Sequence, residues 1–320
     1  MRITALGELL IDFSLRDNNS DGYPIMDAHP GGAPANFLAA AKKYGTEASF
    51  IGKVGNDVFG RLLINTLNSA GIETKGLIVS DNVFTTLAFV TFNEDNDREF
   101  SFARKPGADT CLEENEVAFD EIDKSDAFHF GTLSLTDEPS KTATIVAVEY
   151  AINKGKIISF DPNLRKPLWN NLERAKEMML WGLDKADVVK ISDEEVEFLF
   201  PGFSIEDASK IIIDNYGASI VFVTMGKNGC FYRSKNCFGH IDGLRDIVVK
   251  DTTGAGDVFG GSAMHSILQK GKKLNALTKE DLEDIVKFAI ASSGLSTTIS
   301  GGISSVPDLE KINEVLHDWN

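Results

Sequence analysis

Lys250-Asp251-Thr252-Thr253-Gly254-Ala255-Gly256-Asp257-Val258-Phe259 joins two patterns of different period. Val248 and Val249, just before it, read as the end of a strand. After it, Phe259, Ala263 and Ile267 recur every four residues with Met264 and Leu268 beside them, which is helical spacing. Gly254 and Gly256 let the backbone pass close to a ligand without a side-chain clash. The first turn of a helix has unpaired N–H groups and carries roughly +0.5 charge. The amides of Gly254, Ala255 and Gly256 therefore read as an anion pocket. Asp257 sets a carboxylate against it, which is electrostatically awkward unless the group handles a proton. A general base beside an oxyanion pocket suits phosphoryl transfer to an alcohol. On spacing alone a plainer reading stays open, a tight glycine turn followed by a helix-terminus acid. The chain has no G-x-x-x-x-G-K-[ST] and no H-R-D, so it takes neither the P-loop nor the protein-kinase route to that chemistry.

Bulk properties narrow the partners. The 320 residues carry a formal charge of −16 and are 42% hydrophobic, enough for one large α/β domain with a sizeable core. So acidic a surface repels nucleic acid and anionic membranes, which points to small-molecule ligands. An anionic ligand would need local amides, Lys, Arg or a cation against that field. Cys111, Cys230 and Cys237 show no C-x₂-C spacing, which argues against a zinc site or disulfide framework and fits a reducing cytoplasm. No apolar run approaches the ~20 residues that span a bilayer, and the start of the chain is a poor signal peptide.

Along the chain, Ile3–Gly7 with Leu9–Ile11 read as a first buried strand ending at Asp12. Residues 14–30 look like a loop or small edge strands. Pro30-Gly31-Gly32-Ala33-Pro34-Ala35-Asn36 opens a helix that stops at Gly45. Residues 85–92 and 99–104 alternate apolar and polar around the turn Asn93–Asp97, a hairpin signal. Its place within a βα alternation suggests a β-lid with Arg104 near its base, with edge strands of the main sheet as the alternative. From residue 126 onward strand and helix alternate regularly, with strands near 127–130, 156–160, 188–191 and 220–224. Such repeated units imply a mostly parallel sheet with helices on both faces, in one domain over residues 1–320, the lid drawn from segments near 13–30 and 74–106.

Polar residues gather at strand ends: Asp12, Asn163, Arg165, Lys190, Thr224 and Asp257. In a parallel sheet the carboxyl ends line one crevice. Each has an ordinary explanation alone. Asp161-Pro162-Asn163 is an acceptable turn, and Glu195 suits a first helical turn. Their clustering is more telling than any member.

Gly31-Gly32-Ala33-Pro34-Ala35-Asn36, Asp161-Pro162-Asn163-Leu164-Arg165 and Asp251-Thr252-Thr253-Gly254-Ala255-Gly256-Asp257 resemble the motifs of the PfkB carbohydrate kinases, in that family's order and spacing and over nearly the whole chain. The first two point to its fructokinase branch. The resemblance implies a ribokinase-like three-layer α/β/α fold with a small inserted β-lid. It implies transfer of phosphate from ATP to fructose, giving fructose 6-phosphate. By that analogy Asp257 is the base, and Gly254, Ala255 and Gly256 hold the developing charge. Asp12, Gly31, Gly32, Asn36 and Asn163 would contact the sugar, with Arg104 and Arg165 steadying phosphate or sugar oxygens. Lys190, Thr224, Gly226, Gly229, Ala289 and Ser293 would line the nucleotide. Mg²⁺ is implied with ATP. The family's N-x-x-E, which positions it through water, falls on Ser192 and Glu195, so the usual Asn is replaced by Ser. K⁺ beside the pocket would use Asp251, the Thr253 backbone and the loop 296–301. An apolar outer lid face, hinted at by Leu87, Phe89 and Phe100, would let two lids pair in a homodimer. Sibling readings are a kinase for 2-keto-3-deoxygluconate or ribose, and a non-catalytic sugar-binding protein on the same fold. A Rossmann dehydrogenase fails for want of G-x-G-x-x-G after the first strand.

Overall fold

The computed structural model describes the backbone of residues 1–92 and 98–319, and their side chains apart from 92, 98–100 and 318. The turn expected at Asn93–Asp97 and the side chain of Phe100 lie outside these. The first part of the chain contains β1 (Arg2–Leu6), β2 (Leu10–Asn18), β3 (Pro24–Gly31), α1 (Ala33–Lys43), β4 (Glu47–Gly55), α2 (Val58–Ser69), β5 (Glu73–Ser80), β6 (Leu87–Phe92) and β7 (Arg98–Ala103). The alternating part follows with α3 (Phe119–Asp123), β8 (Ala127–Gly131), α4 (Ser140–Asn153), β9 (Ile157–Asp161), α5 (Leu172–Lys185), β10 (Val188–Ser192), α6 (Asp193–Leu199), α7 (Ile205–Tyr216) and β11 (Ile220–Thr224). An antiparallel pair, β12 (Cys230–Ser234) and β13 (Phe238–Ile241), precedes α8 (Ala255–Lys270), α9 (Lys279–Ser296) and α10 (Leu309–Asp318).

Nine strands form the main sheet in the order β13-β12-β11-β10-β9-β8-β1-β4-β5, parallel from β11 to β5. Both faces are covered, so alternate strand residues enter different cores. Phe50, Val188, Ile220 and Phe222 pack under α1, α8 and α9, whereas Ile51, Val189, Val221 and Val223 pack under α4, α5 and α7. The result is the three-layer arrangement. Among the described residues no helix is long and apolar enough to cross a membrane, and all three cysteines are free.

A separate four-stranded sheet, β3-β2-β6-β7, stands beside it. Three sequence readings change here. Residues 2–11 are two strands, because the chain leaves the main sheet at Gly7, whose missing Cβ would lie 2.7 Å from Pro34 Cγ. Asp12 thus sits on the smaller sheet, opposite His29, and not at the end of a main-sheet strand. Residues 73–80 pair with β4, so the smaller sheet draws on 10–31 and 87–103. Val248 and Val249 form no strand. They are exposed in a loop, where Val249 borders an apolar pocket. On the smaller sheet Phe13 stacks on Phe89 at 5.3 Å and meets Phe59 of α2 edge-on at 5.6 Å. The face carrying Phe89 is therefore turned toward α2 rather than outward.

Candidate active site

The carboxyl ends of β9, β10 and β11 lie side by side and bring Asp161, Lys190, Ser192 and Thr224 to one rim. The amino end of α8 faces that rim. Gly254 caps the helix in the left-handed region (φ 74°), a conformation glycine adopts without Cβ strain. Gly261 lets α8 press onto α1, since a Cβ there would stand 2.0 Å from the Phe37 carbonyl oxygen. That close approach sets Asn36, in the first turn of α1, against Asp257, and Asn36 Nδ2 donates to Asp257 Oδ2 at 2.9 Å.

Asp257 is half-buried at the cleft wall, and its pKa is pushed up to about 7, first by loss of solvent around it and then by the Asp161 carboxylate, with Asn36, Lys190 and Arg165 pulling the other way. Lys190 Nζ donates to Asp161 Oδ2 at 3.0 Å. Burial works against the Lys190 charge, but Asp161, Glu195 and Asp257 outweigh it and hold its pKa above the ordinary lysine value. Burial likewise raises Asp161, opposed by Lys190. Asp12 rises to about 6, mainly by burial, with Arg165 lowering it. The Ala255 amide donates to Thr252 O at 3.2 Å. Among the described residues the amides of Gly254 and Gly256 have no backbone partner, so the expected cluster of three donors narrows to these two.

Two cavities meet at this helix end. A cleft of about 680 Å³ is bordered by Asp12, Gly32, Asn36, Asn163, Arg165, Lys190, Glu195, Gly254 and Asp257. An apolar-lined pocket of about 500 Å³ is bordered by Thr224, Gly226, Gly229, Phe259, Ile290 and Ser293. Thr252 and Gly256 border both. Glycine is obligatory at 229, where φ is 88° and a Cβ would lie 2.0 Å from Ile241 O.

Most of the residues picked from sequence converge here. Gly31 abuts Asp12, its absent Cβ falling 2.5 Å from Asp12 Oδ2. Two residues do not converge. Arg104 is buried in an ion pair with Asp109 at 2.7 Å and also donates to Thr136 Oγ1 and Leu133 O, so its fork is spent on structure and it borders a neighbouring cavity. Ala289 is fully buried in the α8–α9 core, and the next residue, Ile290, borders the apolar pocket instead. Sequence reasoning missed Glu8 in the wide cleft, and Leu244 and Ile247 in the apolar pocket. For the latter two a signal existed, namely large apolar residues without period in a loop.

Glu195 caps its own helix. Its carboxylate accepts from Leu164 N at 2.7 Å and Ser192 N at 2.8 Å, and Ser192 Oγ accepts from Glu195 N. Ser192 therefore acts as the N-cap of α6. Asp251 accepts from Thr253 N at 2.9 Å and Gly301 N at 3.1 Å, fastening the loop after α9 to the helix end. Among the described residues no cluster of three or more His, Cys, Asp or Glu could hold a metal ion by itself.

Residues 2–309 match the family described as pfkB family carbohydrate kinase. The chain is 37% identical to probable fructokinase-2 of Arabidopsis thaliana over 308 residues, 95% of this chain and 92% of that one. The solved fructokinase with bound ATP from Xylella fastidiosa superposes with a TM-score of 0.91 at 29% identity, over 99% of this chain and 98% of that one. A double mutant of the Vibrio cholerae O395 fructokinase, solved with fructose, ADP and potassium ion, gives 0.87 at 28% identity over 98% of each chain.

Proposed function

The chain belongs to the pfkB family of carbohydrate kinases, and from that premise we propose that it transfers the terminal phosphoryl of ATP to a hydroxyl of D-fructose, giving fructose 6-phosphate and ADP. One observation carries the reading. Asp257 follows Gly256 at the seam where the wide polar cleft and the apolar pocket join. A sugar in the first and a nucleotide base in the second would bring hydroxyl and phosphate together at Asp257. The ligands of the two solved fructokinases, ATP in one and fructose with ADP in the other, support a sugar and a nucleotide as the two ligands.

Asp257 accepts the proton of the attacking hydroxyl, and a pKa near 7 suits a base working at neutral pH. Asn36 holds the acceptor oxygen in place. The Gly254 and Gly256 amides face the charge that develops on the transferred phosphoryl. Lys190 adds a fixed positive charge, and the missing Cβ of Gly256, 2.8 Å from Lys190 Nζ, leaves room for it beside the helix end. Asp12, Gly32 and Asn163 offer directional contacts to sugar hydroxyls.

Mg²⁺ enters as part of the nucleotide substrate and neutralises phosphate charge. Mg²⁺ keeps several waters and takes one or two carboxylates, which fits Glu195, a residue that borders the cleft while its two oxygens each hold a backbone amide. A potassium ion, present in the Vibrio cholerae structure, would sit by the loop that Asp251 ties to the helix end. The cytoplasm as workplace belongs to the same proposal, and a homodimer would have to pair by some surface other than the Phe89 face, which α2 covers.

The test is ATP consumption measured across fructose, ribose, 2-keto-3-deoxygluconate, adenosine and fructose 6-phosphate. Fructose should give the highest kcat/KM. A preference of tenfold or more for another sugar would move the assignment to a sibling kinase, and no turnover on any would overturn it.

A further inference from the structure

Glu8 lies where the chain leaves β1 for the smaller sheet. It is 3% exposed and borders the wide cleft together with Asp12, Gly32 and Asn36. Its Oε1 accepts from the Ala33 amide at 2.9 Å. Its backbone carbonyl fills the space beside Gly32, where φ is 120° and a Cβ would lie 2.4 Å from Glu8 O. One residue thus braces the Gly31–Ala33 turn from two sides while bordering the cleft.

We propose that Glu8 is a positioning and specificity-determining residue for the sugar, one carboxyl oxygen fixing the Gly31–Ala33 turn and the other meeting a sugar hydroxyl. This rests on the sugar-kinase reading above. Burial, with Asp109 nearby, pushes Glu8 up to about 8, while its own amide, the Ala33 amide and Arg104 oppose the rise. At neutral pH the group therefore carries its proton, and presents an O–H donor rather than a charge. That choice matters in a cleft already crowded with carboxylates. Asp12 faces it from the smaller sheet, Asp257 from α8, and Lys190 and Arg165 from the β9–β10 rim. A neutral donor meets a hydroxyl without adding to the field that Asp257 needs to stay moderate.

The experiment compares Glu8→Gln and Glu8→Ala with the wild type on whichever sugar of the panel the wild type phosphorylates best. Glu8→Ala should raise the sugar KM by about tenfold or more, with the ATP KM within twofold. Glu8→Gln, which keeps a neutral donor and the acceptor for Ala33, should restore the sugar KM to within about threefold of the wild type. The wild-type sugar KM should climb as pH rises through 8 and Glu8 ionises. The Gln variant should show no such climb, while the titrations of Asp12 and Asp257 remain common to both. An unchanged sugar KM in Glu8→Ala, equal losses for sugar and ATP, or identical pH profiles for wild type and Gln variant would overturn the proposal. A wild type inactive on every sugar would instead overturn the kinase reading, and this inference with it.

Discussion

Asp257→Asn removes an ionisable carboxyl and the proposed proton acceptor while keeping size and the hydrogen bond from Asn36. Two opposite effects should follow. General-base removal costs about 10²–10⁴ in rate, so kcat should fall by at least two orders of magnitude with ATP affinity nearly unchanged. Folding stability should rise. Asp257 ionises near 3.8 when unfolded and near 7 when folded. At pH 7 the unfolded chain therefore holds the charge that the fold resists, a penalty of about 4 kcal/mol at 1.36 kcal/mol per pH unit. The sign fixes the pH dependence. A carboxyl raised by burial costs nothing below its unfolded pKa, where both states are protonated, and the penalty grows as pH climbs toward its folded pKa. The stability advantage of the Asn variant should be largest at pH 7 and above and vanish below about pH 4. Coupled ADP-release kinetics, ATP titration calorimetry and urea unfolding at pH 4, 5.5 and 7 measure all three quantities. Turnover within threefold of wild type, or a stability gap that widens toward acid, would refute the reasoning.

Other perturbations separate binding from scaffolding. Lys190→Met strands Asp161 as a buried unpaired carboxylate and should cost about 3 kcal/mol in urea unfolding, besides abolishing turnover. An unchanged unfolding midpoint would show the pair is not buried as described. Arg104→Ala strands Asp109 and should lower stability by about 3–5 kcal/mol, while the folded fraction, assayed in the cold, keeps its sugar KM. A tenfold rise in sugar KM at unchanged melting temperature would return Arg104 to the substrate. Gly294→Val fills space where even a Cβ stands 3.1 Å from Leu244, so the ATP KM should rise several-fold with the sugar KM unmoved. Equal losses for both substrates would mean that the apolar pocket does not hold the nucleotide.

What could be read in advance follows from where each residue's role is decided. The alternation of β8 through β11 with its helices was legible because periodicity is local and survives in the sequence. The place of Gly254, Gly256 and Asp257 at a helix end was legible because a helix terminus is set within one turn of chain. Val248 and Val249 misled because two apolar residues have no period, and a loop paving a pocket needs the same chemistry as a strand end. The split of residues 2–11 into strands of two sheets was hidden because it depends on Pro34, from a different element, closing against Gly7. Arg104 has the chemistry of a phosphate clamp, and only its proximity to Asp109 and Leu133 O turns it into a brace. Glu8 is the extreme case. In sequence it is a blemish in an apolar run, and everything that makes it interesting comes from burial and from Gly32 and Ala33 lying against it. A cleft assembled from one sheet's ends and another sheet's strand must take part of its chemistry from such residues, because no single segment spans both walls.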